Sequence, residues 1–293
     1  MFKSALGPLV FSLVWVAALA PDALANLVLD PDFSEVTYTG TTTGLTTLYG
    51  QFGTETGSTL TIADWDTSGY NYVYAPNTAD MGTQATGANA GAPLEAPGQY
   101  NVNGYGNTYM WGPNNGSPNG LPGTPPAGVN FIAADGIYET APITQTINGL
   151  TIGQTYVLTF YWAGAQQQGF TSPTMEWWTA SLGTESFTTG TVSISGSGFS
   201  GWMQQTFYYT ATGTSETLSF LAGGTPNGEP PFSLLGDVDL EVVPDFSNWL
   251  VFAGFGAMCI SFEALRRRRQ SRPAPVTKQQ PETGTQSAVP VSV

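Results

Sequence analysis

Carboxylates, amides and aromatic rings are the side chains this sequence offers for chemistry. Between Ser4 and Leu265 there is no Lys, Arg or His, so every cation except Lys3 lies at or beyond Arg266. Serine and cysteine hydrolases need a base, usually His, to activate the nucleophile. None is present, and the single cysteine, Cys259, sits inside an apolar run. Disulfides are therefore unavailable to the globular part. Nucleic acid is excluded as a partner, because a surface of carboxylates alone repels a polyanion. Asp30, Asp32, Glu35, Asp237 and Asp239 could converge if the two ends of the globular region pair in one sheet. They would then offer oxygens to a hard cation such as calcium, which takes roughly six to eight. The plainer reading makes them solvated turn residues.

Aromatic faces stack on sugar rings and amides meet hydroxyls, so the candidates for sugar contact are Trp65, Tyr70, Tyr72, Tyr74, Tyr105, Tyr109 and Trp111, with Gln166, Gln167 and Gln168. Most large rings belong to cores, so two or three of these are expected at the surface. Trp177, Trp178 and Trp202 fall within strand patterns and read as packing residues. The competing chemistry is glycoside hydrolysis by two acids roughly 5 to 10 Å apart, for which Asp64 with Asp66, or Glu139 with Glu176, can be nominated. Spacing singles out neither pair, and no Arg, His or Lys exists to hold substrate, so a non-catalytic role is the reading adopted.

These residues need a scaffold, and 293 residues suffice for one full-sized core with appendages. From Asn26 to Val242, short apolar alternations are broken by Gly, Asn, Asp and Pro without a helical period, which is a β pattern. Strands are predicted at Asn26 to Leu29, Ser58 to Asp64, Asn71 to Ala75, Val129 to Ala133, Ile143 to Ile147, Thr155 to Ala163, Glu176 to Leu182, Thr191 to Ser195, Trp202 to Thr210, Glu216 to Leu221 and Phe232 to Val242. Within Thr155 to Ala163, Tyr156, Leu158, Phe160 and Trp162 share one face, as a sheet packed on one side requires. Two antiparallel sheets face to face are expected. From Pro76 to Ala127, Gly, Pro and Asn make up half of the residues, which predicts a long irregular surface loop, either idle or ligand-binding.

Three short motifs sharpen this. Asn26-Leu27-Val28-Leu29-Asp30-Pro31-Asp32-Phe33 resembles the opening of carbohydrate-binding-module-like, galactose-binding-like jelly rolls, and Leu235-Gly236-Asp237-Val238-Asp239-Leu240 resembles their closing strand. Ile143-Thr144-Gln145-Thr146-Ile147-Asn148-Gly149-Leu150 with Gly153-Gln154-Thr155-Tyr156 is similar to the family's strand, turn, strand unit. The resemblance implies an all-β, two-sheet antiparallel jelly-roll sandwich and contact with polysaccharide. It also implies a structural calcium, with Asp30 and Asp237 at ligand positions, while Ser34 and Gly236 replace two acids of the family pattern.

The two ends carry addresses. Lys3, the apolar stretch Ala5 to Ala20 and the small residues Ala23 and Ala25 predict a signal peptide, residues 1–25, cut after Ala25. An uncleaved anchor is the alternative. At the other end, Pro244 cannot donate to a ladder and should end the last strand. An apolar run from Trp249 to Leu265, about 25 Å long as a helix, then precedes Arg266, Arg267, Arg268 and Arg269, which hold one end on the cytoplasmic side. Val243-Pro244-Asp245, this helix and the arginines resemble the PEP-CTERM sorting signal, with Asp245 standing for the family's Glu and Phe246 for its second Pro. That resemblance implies a membrane-anchored intermediate, processing by an exosortase, and delivery to the cell envelope or an exopolysaccharide matrix. Residues 270–293 form a polar, Pro- and Thr-rich tail that family members generally lack.

Overall fold

Alternating apolar and polar side chains fold this chain into a β-sandwich. The computed structural model describes residues 25–38, 47–53, 60–80, 99–101, 108–121, 125–126 and 130–244. Ala23, Tyr105, Asp245, Trp249 and the four consecutive arginines lie outside the described residues, as do the predicted signal and membrane helices. Among the described residues no helix is long and apolar enough to cross a membrane.

The strands run β1 (Val36–Tyr38), β2 (Thr47–Gln51), β3 (Leu60–Ile62), β4 (Asn71–Tyr74), β5 (Gln99–Asn101), β6 (Phe131–Asp135), β7 (Ile143–Asn148), β8 (Thr155–Gln166), β9 (Thr174–Leu182), β10 (Glu185–Thr188), β11 (Val192–Ile194), β12 (Met203–Thr210), β13 (Ser215–Thr225) and β14 (Pro231–Val242). The larger sheet has the order β12-β8-β14-β6-β4-β2-β5, and the smaller β10-β9-β13-β7, with β11 also on β9. β1 and β3 form a separate pair. Among the described residues every ladder is antiparallel except β2 with β5, and an isolated parallel bridge joins Phe52 to Leu60. The predicted central strands coincide with observed ones, whereas β1, β2, β5 and β10 carry too little alternation to be read from sequence. Asn26 to Leu29 is a correction: it is not a ladder strand, although Leu27 N–H donates to the Leu240 carbonyl at 2.9 Å.

Between the sheets lies the main core. On β8, Tyr156, Leu158, Phe160 and Trp162 all face inward, as their alternation predicted, against Trp178, Ala180 and Leu182 of β9 and Leu218 and Phe220 of β13. Phe220 sits centrally, its ring 5.1 Å from Phe160, 6.2 Å from Trp178 and 6.2 Å from Trp65. Across the sandwich, Trp178 Nε1 donates to the Leu234 carbonyl at 3.0 Å, so the buried indole keeps its hydrogen bond.

The outer face of the larger sheet is buried over β4, β6, the start of β14 and the end of β8, contrary to the expectation for the Pro76 to Ala127 loop, while β12 leaves Gln204, Thr206 and Tyr208 exposed. Ala79, Tyr109, Met110 and Leu121 are fully buried and pack on Tyr72, Tyr74, Phe131, Ala133, Phe232 and Leu234. Side chains do the stitching that a ladder would do elsewhere. Asn114 donates from its backbone N and Nδ2 to the buried Asp80 carboxylate at 2.9 and 3.0 Å. Asn119 Nδ2 reaches the Trp111 carbonyl at 2.8 Å, and Ser117 Oγ donates to the Ser197 carbonyl at 2.7 Å. Punctuating residues thus hold a second small core while remaining irregular in backbone, because Asn and Ser satisfy buried carbonyls without strands.

Candidate functional site

A cleft opens at one end of the larger sheet, where β4 begins, β6 and β8 end, and β14 begins. It encloses about 440 Å³. Tyr70, the residue before β4, forms one wall with Tyr138, whose ring is perpendicular to it at 5.3 Å and is 56% exposed. Phe170, just beyond β8, adds a third ring, and Gln167 and Asn227 bring amides. Among the described residues no hydrogen bond engages the side-chain amide of either. They are placed to meet hydroxyls.

The floor carries one acid. Asp135, the last residue of β6, is 3% exposed, and its Oδ1 accepts Ile137 N–H at 2.8 Å and Tyr138 N–H at 3.1 Å. Those bonds fix the turn that presents Tyr138. Burial raises the Asp135 pKa, and the two backbone donors oppose it. Gly136 follows because a Cβ there would lie 2.5 Å from the backbone of Gly223, so only glycine lets this turn close on β13.

The rings nominated from sequence divide by burial. Trp65 is a core residue, with its Nε1 donating to the Asp30 carbonyl at 3.0 Å. Tyr72, Tyr74 and Tyr109 are fully buried in the second core, which removes them from sugar contact. Tyr72 and Tyr74 instead hold the loop through Thr108, whose Oγ1 donates to Tyr72 Oη at 3.0 Å and whose carbonyl accepts from Tyr74 Oη. The phenol of Tyr72 is pushed far up by burial and, after it, by Tyr70. Tyr70 is half-buried at the cleft and bonded to Thr108 Oγ1 at 2.7 Å. Trp111 is half-buried behind the cleft, its Nε1 donating to the Phe170 carbonyl at 2.5 Å. Gln166 is buried and structural, bridging the Ser172 carbonyl and Ser197 N–H at 2.6 Å each. Gln168 donates its backbone N–H to the Tyr109 carbonyl at 2.7 Å. Sequence reasoning missed Tyr138, Phe170, Asp135 and Asn227, which lie at strand ends and turns where no periodicity marks a face.

The terminal carboxylates take separate tasks. Asp30 accepts Ser34 N–H at 2.9 Å and Glu35 N–H at 3.2 Å, closing a turn. The termini do meet, since Val238 N–H donates to the Pro31 carbonyl at 2.9 Å across a bulge in β14. Burial, then the Asp32 carboxylate, raise the pKa of Asp237; burial, then Glu241 and Asp237, raise that of Asp239. Among the described residues, however, no group of three or more His, Cys, Asp or Glu side chains is placed to hold one ion.

The acid pairs nominated for hydrolysis lie outside the cleft, whose lining contains a single carboxylic acid, Asp135. Asp64, Asp66 and Glu139 are exposed. Glu176 faces inward from β9, fully buried, with no hydrogen-bond partner for either carboxyl oxygen. A Cβ on Gly164 of β8 would approach its Oε2 to 2.7 Å, so glycine opposite makes room for the acid. Burial pushes the Glu176 pKa up to about 8, and the nearby Thr174 hydroxyl opposes the rise.

No protein-family model matches the chain, and no curated protein does. Among solved structures it is similar to the carbohydrate-binding module TmCBM61 in complex with β-1,4-galactotriose, at 14% identity over 75% of this chain and 99% of that one, TM-score 0.34. It is also similar to the CBM22-1 xylan-binding domain of Xyn10C from Paenibacillus barcinonensis, at 9% identity over 41% of this chain and 76% of that one, TM-score 0.27. A third similarity is to the N-terminal cellulose-binding domain of Cellulomonas fimi β-1,4-glucanase C, at 15% identity over 40% and 79%, TM-score 0.24. Likeness of this degree assigns neither ligand nor activity, and the functional reading rests on the chain's own residues.

Proposed function

We propose that this protein is a non-catalytic, exported polysaccharide-binding protein whose β-sandwich lays a sugar chain in the cleft beside Tyr70 and Tyr138. The observation that carries the reading is the cleft itself. Three aromatic rings, two amides with open hydrogen-bonding groups and one acid converge at one end of a rigid sheet. Rings supply flat apolar faces for pyranose C–H groups, and amides supply directional bonds to hydroxyls. A single carboxylate falls short of the pair that glycoside hydrolysis uses.

The test is direct. Replacing Tyr138 by Ala, away from both cores, should weaken binding to the producing cell's exopolysaccharide about fivefold, as loss of one ring contact of about 1 kcal/mol predicts. Affinity electrophoresis with unfolding followed in parallel measures both. Unchanged mobility in a folded variant removes the cleft from sugar binding, and release of reducing ends by the wild type would make it an enzyme.

The same proposal places the chain outside the cytoplasm. Supporting it are Lys3 with the apolar stretch to Ala20, and the order Pro244, apolar run, four arginines. An inner-membrane intermediate, cut near Val243 by an exosortase-like enzyme and released to the envelope or matrix, follows from the PEP-CTERM resemblance. Intact mass of the chain recovered from membrane and medium fractions is expected to lack residues 1–25, and in the medium also the segment beyond the motif. Full-length chain in the cytosol would end this reading.

A further inference from the structure

We propose that the sugar bound in the cleft carries a free amino group, held as an ammonium between the Asp135 carboxylate and the rings of Tyr70, Tyr138 and Phe170. This rests on the cleft being the sugar site. It goes further by naming the chemical class of the sugar.

Charge balance is the first argument. Asp135 is 3% exposed, and only its Oδ1 is engaged, by Ile137 and Tyr138 N–H. Among the described residues no group bonds Oδ2. A buried carboxylate is ordinarily compensated by a cation, yet there is no Lys, Arg or His anywhere between Ser4 and Leu265. Asp80 and Glu176 are buried without a cation as well, the first held by amide donors and the second kept protonated, so Asp135 needs none to fold; any cation that pairs with its Oδ2 has to arrive with a ligand. Burial already raises the Asp135 pKa, and a bound ammonium would favour the ionised form again.

The surroundings fit the same ion. A cation is attracted to the faces of aromatic rings within about 6 Å, most strongly where water is excluded. Tyr70 and Tyr138 stand perpendicular with centroids 5.3 Å apart, and both line the cleft together with Phe170. Gln167 and Asn227 remain for neutral hydroxyls. An acidic sugar is the worst fit, because it would meet a buried carboxylate with no cation to offset either charge. A fully neutral sugar can offer Oδ2 a hydroxyl but no ionic contact. The chain's formal charge of −14 also steers cationic polymers toward it.

Calorimetric titration of the full chain separates these cases with three ligands of equal length: a β-1,4-glucosamine hexamer, its fully N-acetylated form and cellohexaose, at a pH where the amines are charged and at physiological salt. The wild type is expected to bind the amino hexamer at least about tenfold more tightly than the acetylated one, the effect of one desolvated cation contact. Asp135→Asn, which keeps an Oδ1 acceptor for the turn, should bring the two ligands to within about twofold, whereas Glu241→Gln, far from the cleft, should leave the preference intact. Acetylated hexamer binding as tightly as the amino form overturns the proposal without any variant. A preference that survives Asp135→Asn overturns it too, by showing general charge attraction. If all three ligands bind alike and Tyr138→Ala weakens all three, the sugar site stands and the ammonium falls. If none binds, the ammonium reading falls and the sugar site is judged on the exopolysaccharide alone; if Tyr138→Ala changes nothing there either, both readings fall together.

Discussion

Raising the pH from about 5 to about 9 is expected to separate the stability of the wild type from that of Glu176→Gln by roughly 3 to 5 kcal/mol, with the variant the more stable at alkaline pH. The sign follows from where the proton sits. In the unfolded chain Glu176 titrates near its ordinary 4.5, whereas between the sheets burial holds it up to about 8. Below about 4.5 both states are protonated and the acid costs nothing through ionisation. As pH climbs toward 8, the unfolded state releases its proton and the folded state keeps it, so stability drops by about 1.4 kcal/mol per unit until the folded group also ionises. Above that the difference is constant. Glutamine has the same shape and no titration, so its curve lacks this component. Buried Asp135 and half-buried Asp30, Asp237 and Asp239 are also raised and slope the same way in both proteins, which is why the difference between the two is the informative quantity. Urea midpoints taken across that range measure it. Curves for the two proteins that stay parallel within about 0.5 kcal/mol would mean that Glu176 is solvated or paired in the folded state.

Phe220→Ala should cost about 3 to 5 kcal/mol, the usual range for deleting a fully buried ring. Phe220 is the ring at which both halves of the sandwich meet. It touches Phe160 from the larger sheet, Trp178 from the smaller, and Trp65 from the β3–β4 turn, with centroids between 5.1 and 6.2 Å. All three neighbours sit in ladders or hydrogen-bonded turns, so the cavity cannot collapse freely. Denaturant unfolding reads the loss, and a value under about 1.5 kcal/mol would show that the sheets close over the gap. Phe220→Leu, which fills more of the space, should recover much of it.

How much of this was legible beforehand depends on whether a residue's role is local. Tyr156, Leu158, Phe160 and Trp162 alternate, and alternation alone places them on the core side of β8. Comparable runs mark β7, β9 and β13 as strands, although nothing in them tells which strand pairs with which. By contrast, Ala79, Tyr109, Met110 and Leu121 sit amid Gly, Pro and Asn, and nothing in their spacing reveals that they cap the larger sheet. Their burial depends on bonds such as Asn114 to Asp80, 34 residues apart. The clasp at the termini is equally silent, because Asn26 Nδ2 reaches the Val238 carbonyl across 212 positions. Of the nominated rings only Tyr70 and Trp111 are less than fully packed among the described residues, since a tyrosine suits a core and a cleft equally well. Tyr138 and Phe170 escaped notice for a related reason: turns expose side chains one at a time. Glu176 was nominated as an acid for catalysis, and burial between two sheets makes it a determinant of stability instead.

The way β14 is seated has a mechanical meaning. This strand pairs with β8 along most of its length, with β6 on its other flank at Phe232 to Leu235, and with the segment at Leu27 near its far end. Val243 extends the seating, since its N–H donates to the Thr155 carbonyl at 2.9 Å and its own carbonyl accepts from Gln154 Nε2 at 2.8 Å. A pull delivered at Val243 along the strand therefore strains many cross-strand bonds in shear at once, where a perpendicular pull would open them one by one like a zipper. Load applied at Val243 along the strand thus meets the sandwich in a resistant direction.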